Sequence, residues 1–248
     1  MSNTVYDEHA AFYIDFVDRT LASGNAATVE TLRACLGDRL VGARVCDVCC
    51  GEGYLGRDLV RHGAREVVGI DLSTVLIDEA TRRADDPRLS YRVDDAHALD
   101  SIDDAEFDVV VSQLAMMDLP DHRRMFAAVR RVSKPGAPFV FSLLHPCFDG
   151  RPFHVTEAPP FVVDADGKRV AYLVSRYASE GLFWSGGIGV RGRMGSYHRR
   201  LSTYVNDLLA AGFVLERLEE PLAGYQSNQP EALFAEVPTV LVVAATAV

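Results

Sequence analysis

The feature that most constrains this chain is a short apolar run that breaks into a glycine-rich turn, Arg44-Val-Cys-Asp-Val-Cys-Cys-Gly-Glu-Gly-Tyr-Leu-Gly56. Leu55, Leu59 and Val60 follow at helical spacing, so the pattern predicts a strand, a tight turn and the start of a helix. Glycines let the backbone turn sharply and let a ligand approach without meeting a Cβ atom. The first N–H groups of the helix have no intrahelical acceptor, so they point at whatever lies over the turn.

The three glycines of this turn have the G-x-G-x-x-G spacing of dinucleotide sites, which is a weak signal by itself. A second apolar run ends at Asp71, 20 residues after Gly51, as expected for a carboxylate that binds ribose hydroxyls. Asp47 lies four residues before Gly51, where it would repel a pyrophosphate and attract a cation. S-adenosylmethionine (SAM) suits this arrangement, because it has no phosphate and carries a sulfonium and an ammonium group.

Strand and helix patterns alternate five times between the first strand and residue 144, which predicts a parallel sheet with helices on both faces. Ligands of such sheets bind at the carboxyl ends of the strands, near the switch in strand order. The side chains predicted at those ends are Asp47, Asp71, Asp95, Ser112 and His145. The predicted helices are 5–22, 26–40, 54–62, 74–84, 121–133 and 197–213, and the predicted strands are 44–50, 66–71, 89–94, 107–112, 137–144, 214–220 and 238–246.

Composition narrows the choice of partners. The 248 residues carry 25 Lys and Arg against 35 Asp and Glu, a net charge of −10, so we expect no nucleic-acid partner. No apolar run approaches the roughly 18 residues of a membrane span, and the polar N-terminus is unlike a signal peptide, so we expect a cytoplasmic protein without a membrane partner. The five cysteines include one Cys-x-x-Cys pair without a second pair, so we expect reduced thiols and no metal.

Several motifs together resemble the class I SAM-dependent methyltransferases, in particular their ubiquinone/menaquinone methyltransferase-like branch. They are Asp47-x-x-Cys-Gly-x-Gly53, Gly69-Ile-Asp71-Leu-Ser73, Asp95-Ala96, Phe107-Asp-Val-Val110, Tyr6-Asp-x-x-Ala-x-x-Tyr13 and Tyr197-His-Arg-Arg-Leu-Ser-Thr-Tyr204. The resemblance implies a Rossmann-like α/β fold with a seven-stranded, mostly parallel sheet. Its seventh strand would be antiparallel, between strands five and six. The implied enzyme transfers a methyl group from SAM to N or O of a small molecule and releases S-adenosylhomocysteine. The overall character suggests a bacterial natural-product enzyme with an aromatic or heteroaromatic acceptor.

The resemblance also assigns residues to the cofactor. Asp95 would accept the adenine amino group, although a solvated acidic loop is the alternative. Ser112 and Gln113 would lie near the sulfonium, whereas Met116 and Met117 are expected in the core. The residues predicted to bind the cofactor are Tyr13, Asp47, Gly51, Gly53, Asp71, Leu72, Asp95, Ala96, Ser112 and Gln113.

The acceptor site is expected between an N-terminal helical cap, residues 1–40, and an aromatic-rich insertion, residues 147–198, both within one domain spanning 1–248. The cap helix either packs only or closes over both ligands. The insertion is interpreted as a substrate wall or lid, and a plain β extension or a dimer contact remains open, as does the choice between monomer and homodimer. His145 is the candidate base, with a strand-end cap as its alternative. The residues predicted to bind substrate are Tyr13, His145, Trp184, Tyr197 and Arg176.

Three rival functions use the same turn. An NAD-dependent oxidoreductase shares the glycine spacing, but Asp47 and the lack of a Tyr-x-x-x-Lys pattern argue against it. A SAM-binding protein without turnover would keep the fold and lose the chemistry. A SAM enzyme could also catalyse a reaction other than methylation, such as a cyclisation.

Overall fold

The computed structural model describes residues 4–22, 27–148, 161–167, 169–174, 176–184, 189–222 and 237–248. Residues 149–160 and 185–188 of the predicted insertion therefore lie outside the described residues, as does residue 26 of the second predicted helix. No helix within the described part of the chain is long and apolar enough to cross a membrane.

Seven strands form the main sheet, as the alternating pattern predicts. They are β1 (Arg44–Val48), β2 (Glu66–Asp71), β3 (Leu89–Val93), β4 (Val109–Gln113), β5 (Pro138–Leu144), β10 (Phe213–Glu219) and β11 (Val240–Ala247). Their spatial order is β10-β11-β5-β4-β1-β2-β3. The neighbours from β5 to β3 are parallel, whereas β11 runs antiparallel to both β5 and β10. The predicted fold, including its one reversed strand, is confirmed.

The helices pack on both faces of this sheet. They are α1 (Val5–Glu8), α2 (Ala10–Ala22), α3 (Ala27–Leu36), α4 (Tyr54–Arg61), α5 (Thr74–Arg83), α6 (His122–Val132), α7 (Val190–Met194) and α8 (Leu201–Ala210). Ser73 caps α5, because its hydroxyl accepts from the Leu76 N–H at 3.1 Å. Two hydrophobic clusters, one on each face, bury the sheet, and Met116 and Met117 lie in one of them, as expected.

Two predicted helices differ from the structure. The first is divided into α1 and α2, which are separated at His9. The helix predicted from Tyr197 begins only at Leu201, because residues 196–198 form a strand instead. That strand, β9 (Ser196–His198), pairs antiparallel with β8 (Gly181–Phe183), so Tyr197 lies in a two-stranded sheet.

The described part of the insertion contains a second hairpin and one short helix. Strands β6 (Phe161–Val163) and β7 (Arg169–Tyr172) flank a turn in which the Gly167 N–H donates to the Asp164 carbonyl at 3.1 Å. Helix α7 then brings the insertion to the mouth of the sheet. The insertion therefore contributes both a β extension and a segment beside the candidate site.

Candidate active site

Gly51 and Gly53 are glycine for different structural reasons. Gly51 has φ +56° and Gly53 has φ +83°, both in the left-handed region that favours glycine. A Cβ atom on Gly53 would lie 2.5 Å from the Tyr91 hydroxyl oxygen, so packing requires this glycine. A Cβ atom on Gly51 would lie 3.4 Å from the Tyr13 hydroxyl oxygen. Gly51 and Gly53 were both predicted to bind the cofactor. Gly51 lies beside a cavity, whereas Gly53 makes room for Tyr91.

Asp71 closes the turn from the end of β2. Its Oδ2 accepts from the Gly51 N–H and its Oδ1 from the Ser73 N–H, each at 2.9 Å. Burial raises the pKa of this carboxyl, and the two N–H donors oppose that shift. Asp71 thus couples the first two strand ends and faces the same cavity as Gly51.

Asp47 lies behind the turn rather than in the cavity. It is 1% exposed, and its Oδ2 has no hydrogen-bond partner among the described residues. Burial, reinforced by the neighbouring Asp71 carboxylate, raises the pKa of Asp47 to about 8. The sequence predicted a carboxylate that attracts a cation directly. In the structure its charge would act on a ligand only through the turn, and near neutral pH the carboxyl is largely protonated.

The main cavity has a volume of about 350 Å³ and lies where the strand order reverses between β1 and β4. This is the expected ligand position in an open α/β sheet, and the volume is in the range of small-molecule sites. Of the residues predicted to bind the cofactor, it is lined by Tyr13, Gly51, Asp71, Leu72, Asp95, Ala96 and Gln113. Lining residues that were not predicted include Thr4, Val5, Tyr6, Cys49, His97, Leu114, Asp118 and Met194.

One end of the cavity is formed by Asp95 and His97. The Asp95 Oδ1 atom accepts from the His97 N–H at 2.9 Å and lies 2.7 Å from its Nδ1. Although partial burial opposes it, these contacts lower the pKa of Asp95. The carboxylate is therefore held ionised and oriented, as a hydrogen-bond acceptor for a ligand must be. His97 was missed, although its position two residues after an acid is a recognisable turn signal.

A cluster of Tyr6, Asp118 and Arg191 joins three separate segments at the cavity. Asp118, from the loop after β4, pairs with the Arg191 guanidinium of α7 and accepts from the Tyr6 hydroxyl of α1. Burial raises the pKa of Asp118, and the Arg191 charge opposes that shift. Burial also raises the pKa of Tyr6 well above its usual range. The sequence pattern marked the loop after β4 but not this carboxylate.

The N-terminal cap is anchored beside the cavity by two carboxylates. The Asp7 Oδ1 atom accepts from the Ser73 hydroxyl at 2.6 Å and from the Val75 N–H at 3.3 Å. Although desolvation opposes it, these hydrogen bonds lower the pKa of Asp7 to about 2. Further along the cap, Asp18 accepts two hydrogen bonds from Arg83, at 2.6 and 2.9 Å. These contacts hold Tyr6 and Tyr13 over the cavity.

A second, smaller chamber of about 70 Å³ adjoins the main cavity. The two share four residues, Tyr6, Tyr13, Gln113 and Leu114. The other residues of this side chamber are Phe16, Val17, Thr20, Leu21, Thr28, Val29, Tyr54, Val190 and Arg191. The cap, the end of β4 and the insertion helix thus enclose it together.

His145 does not line either cavity. Its side chain is 2% exposed, its Nε2 lies 2.9 Å from Glu220 Oε1, and its Nδ1 accepts from the Cys147 N–H at 3.1 Å. Burial lowers the pKa of His145, and Glu220 opposes that shift. Both ring nitrogens are engaged, so the geometry favours the strand-end cap that the sequence left open as the alternative to a base.

Four further candidates are also absent from the lining of the two cavities. Ser112 is fully buried within the sheet, and the described residues offer its hydroxyl no partner. Trp184 is 48% exposed on the hairpin side of the insertion. The Tyr197 ring lies under the Arg199 guanidinium at 5.1 Å, and Arg176 is exposed with φ +53°. Ser112 lies on β4 and Tyr197 on β9, whereas Trp184 and Arg176 lie outside the strands, in the described part of the insertion. No group of three or more His, Cys, Asp or Glu that could hold a metal ion occurs among the residues the structure describes.

The seven-stranded order with its single reversed strand, together with a carboxylate-lined cavity at the switch point, defines the class I methyltransferase type of Rossmann-like fold. Residues 45–136 match the family model described as a methyltransferase domain. The chain is 30% identical to a SAM-dependent methyltransferase from Mesorhizobium loti, with a TM-score of 0.76 over 90% of this chain and 99% of that one. The chain belongs to the class I SAM-dependent methyltransferases, and SAM is its cofactor.

Two other comparisons agree with this family. A solved structure from Listeria monocytogenes, described as a putative SAM-dependent methyltransferase, is 29% identical with a TM-score of 0.73 and covers 90% of this chain and 99% of that one. The ubiquinone biosynthesis O-methyltransferase of Methylococcus capsulatus is 34% identical over 129 residues, which are 51% of this chain and 53% of that protein. The chain thus spans about half the length of the curated relatives it matches.

Proposed function

We propose that this methyltransferase transfers the methyl group of SAM to a nitrogen or oxygen atom of a small aromatic or heteroaromatic molecule. The observation that carries the proposal is the pair of joined cavities. One is lined by carboxylates, as a cationic nucleoside requires, and the other is lined mainly by aromatic and aliphatic side chains. Such a division separates a place for the cofactor from a place for an apolar acceptor.

The residues of the main cavity fit SAM. Asp71 offers a carboxylate for the ribose hydroxyls, and Asp95 offers one for the adenine amino group. Gly51 leaves room beside Tyr13 that a larger side chain would fill. The carboxylates of Asp71 and Asp95 face the cavity and suit a cationic ligand without phosphate, whereas the charge of Asp118 is balanced by Arg191. We propose that the cofactor binds here, with Gln113 and Tyr13 toward the acceptor.

Methyl transfer depends mainly on how the cofactor and the acceptor are positioned. When bound, SAM would supply a methyl carbon activated by its sulfonium. A lone pair of the acceptor would form a bond to that carbon in line with the breaking carbon–sulfur bond, leaving S-adenosylhomocysteine, and the acceptor N–H or O–H proton would be released to solvent. The protein has to hold two molecules in line and exclude water. Tyr6 and Tyr13 cover the junction of the cavities, and Met194 of the insertion closes the main cavity from the other side. We propose on this basis that the cap, residues 1–40, and the insertion, residues 147–198, form the acceptor wall within a single domain.

Two observations support an aromatic acceptor. The curated relatives are named for an O-methylation in ubiquinone biosynthesis, which supports an oxygen acceptor on an aromatic ring. Tyr6, Tyr13, Phe16 and Tyr54 in the side chamber support an aromatic acceptor of nitrogen or oxygen type alike. A natural-product acceptor from secondary metabolism is part of the same proposal.

The test is a methylation screen with SAM carrying an isotopically labelled methyl group. Phenols, catechols, anilines and N–H heteroaromatic compounds are offered as acceptors, and products are identified by mass. We expect label in at least one ring compound and an equal amount of S-adenosylhomocysteine. Protein that binds SAM but labels no member of the panel would contradict the proposal. An altered but unlabelled product would favour a SAM-dependent reaction other than methylation.

A further inference from the structure

We infer that the side chamber is an acceptor subsite that selects an uncharged, single-ring aromatic molecule with an N–H or O–H group. The inference rests on the proposed methyl transfer and specifies its acceptor. It depends on three properties of the chamber: the chemistry of its walls, the pairing of its one charged group and an unused hydrogen-bond acceptor at its entrance.

The walls of the side chamber are suited to a flat ring. Tyr6, Tyr13, Phe16 and Tyr54 supply four aromatic side chains, and the aliphatic lining includes Leu114. Tyr6 and Tyr13 meet edge to face, with centroids 5.1 Å apart and an angle of 88° between their planes. Aromatic rings prefer edge-to-face and offset contacts with further rings. A ring that enters between these walls therefore gains contacts that an aliphatic chain of similar size would lack.

The one charged side chain among the described residues that line the chamber is already compensated. Arg191 forms an ion pair with Asp118, whose carboxylate belongs to the adjoining main cavity. The exposed fraction of each side chain is below one fifth, at 18% and 17%. A charged acceptor would have to leave water without finding an uncompensated opposite charge there. The chamber therefore disfavours carboxylate- and ammonium-bearing rings alike.

Gln113 offers an unpaired hydrogen-bond acceptor that would orient the methyl acceptor. Its side chain lines both cavities, and its Oε1 atom is buried without a hydrogen-bond partner in the described part of the chain. A buried amide oxygen is nearly always paired in a working site. An O–H or N–H of the acceptor, lying at the junction, would satisfy it. The same contact would direct the nucleophilic atom toward the main cavity, where the cofactor belongs.

The size of the chamber limits the acceptor. Its volume of about 70 Å³ is roughly half of the 150 Å³ that holds a benzene molecule in an engineered protein cavity. One edge of a ring or a short substituent therefore fits inside, and the rest of the ring lies at the junction beside Tyr6 and Tyr13. A fused ring system or a long prenyl chain would not enter the chamber.

The experiment compares three para-substituted phenols on protein saturated with S-adenosylhomocysteine. They are 4-methylphenol, which is uncharged, 4-hydroxybenzoate, which is anionic, and tyramine, which is cationic. Binding is measured by calorimetry, so the readout does not depend on turnover. We expect 4-methylphenol to bind at least tenfold more tightly than either charged compound.

Two variants test the chamber itself. Gln113→Leu should weaken the binding of 4-methylphenol about tenfold, and Phe16→Trp, which fills the chamber, should abolish it. The matched control is Asn206→Leu, the same amide loss at an exposed position of α8.

Variants that remove one partner of the Arg191–Asp118 ion pair should shift the binding preference in opposite directions. Arg191→Met leaves Asp118 uncompensated, so tyramine should gain at least tenfold relative to 4-methylphenol. Asp118→Asn leaves Arg191 uncompensated, so 4-hydroxybenzoate should gain instead. A folding defect would not produce opposite preferences, and the affinity for S-adenosylhomocysteine checks each variant's integrity.

The outcomes separate the subsite from the proposed function. Equal binding of the three phenols, no binding of 4-methylphenol at millimolar concentration, or no change on Phe16→Trp would overturn the subsite. If the methylation screen still labels an acceptor in those cases, the proposed function stands without it. Failure of the wild-type protein to bind S-adenosylhomocysteine would overturn both.

Discussion

At the scale of single residues, carboxylates at neighbouring strand ends differ because their surroundings differ. Asp71 accepts two backbone N–H groups and faces the cavity, whereas Asp47 is enclosed behind the turn. Asp118 is balanced by a guanidinium. Burial raises the pKa of all three, and only the available donors and cations decide how far. Of these three aspartates, Asp71 therefore faces the cavity, Asp47 is enclosed in the core and Asp118 is paired with Arg191.

Asp71→Ala should weaken SAM binding by about 10- to 100-fold, because a hydrogen bond to a charged acceptor contributes about 1.5–3 kcal/mol. The substitution also frees the Gly51 and Ser73 N–H groups, so part of the loss reflects a looser turn. Calorimetric titration with SAM measures the effect, and Asp78→Ala on the exposed side of α5 is the control. Unchanged affinity would show that the cofactor lies elsewhere.

Asp47→Asn should remove a pH dependence of stability. The pKa of Asp47 is about 8 in the folded chain and 3.8 by its ordinary value, so between these pH values the folded state holds a proton that the unfolded state has lost. The free energy of unfolding must then fall as the pH rises, by up to about 1.4 kcal/mol per pH unit, and level off above pH 8. Urea denaturation of the ligand-free protein between pH 5 and pH 8 measures the slope, which should be shallower in the variant. Identical slopes would mean that Asp47 is ionised in the fold.

Residues of the site could be predicted where local spacing reports their position. Gly51, Asp71 and Asp95 each lie at the end of a strand or within three residues of it, so the rule that strand ends meet at one edge suffices. Asp118, Tyr6 and Met194 could not be predicted, because they reach the cavity through a 3₁₀ turn and through packing of segments distant in sequence. Ser112 and His145 follow strands too, but the direction of their side chains is decided by burial, which spacing alone does not report.

At the scale of elements, the cap is attached to the sheet by side chains rather than by strand pairing. Asp7 bonds the N-terminus of α5, and Asp18 bonds Arg83 near its C-terminus. The Arg193 guanidinium of the insertion lies 4.1 Å from the centre of the Phe12 ring of α2. Cap and insertion are therefore fastened to each other as well as to the core. Opening the cavity requires breaking these contacts and the hydrogen bond from Tyr6 to Asp118.

Asp7→Ala should loosen the cap and speed the release of cofactor. The carboxylate accepts from the Ser73 hydroxyl, the Val75 N–H and the Thr4 N–H, and loss of such a cap costs about 1–2 kcal/mol. We expect amide hydrogen exchange to rise across residues 5–17 and the dissociation constant of SAM to increase about 5- to 30-fold. Asp15→Ala is the matched control, because Asp15 contacts only the exposed Arg19 in its ion pair. Equal exchange in the two variants would argue that the cap is held by apolar packing alone.

The elements themselves were largely predictable. Strands β1, β2, β4 and β5 are apolar runs buried on both faces, and turn residues mark their ends. The helix predicted from Tyr197 starts four residues later, because β9 pairs with a strand of the insertion. That pairing is non-local, so helical periodicity cannot reveal it. The same reason applies to the side chamber, whose walls come from α1, α2, α3, α4, β4 and α7.

At the scale of the whole molecule, the sheet topology places both cavities at one edge, and the irregular segments close them. The reversal of strand order between β1 and β4 opens the crevice, and α1, α2 and α7 cover it. The parallel strands form this crevice, and SAM is the cofactor that the family shares. The cap and the insertion, which we propose as the acceptor wall, lie outside residues 45–136, the part of the chain that matches the family model.

Binding should therefore stabilise the whole fold in a ligand-specific way. At a concentration of 100 times its dissociation constant, S-adenosylhomocysteine should add about 2.7 kcal/mol to the free energy of unfolding. For a chain of this size that corresponds to a rise in Tm of about 5–10 °C. NADH should give no comparable rise, because its pyrophosphate would face the carboxylates of Asp71 and Asp95. Thermal unfolding with each ligand, and with both on Asp71→Ala as the control, measures this. A rise with NADH alone would contradict the carboxylate-based account of the cavity and favour a nicotinamide-dependent enzyme on the same fold.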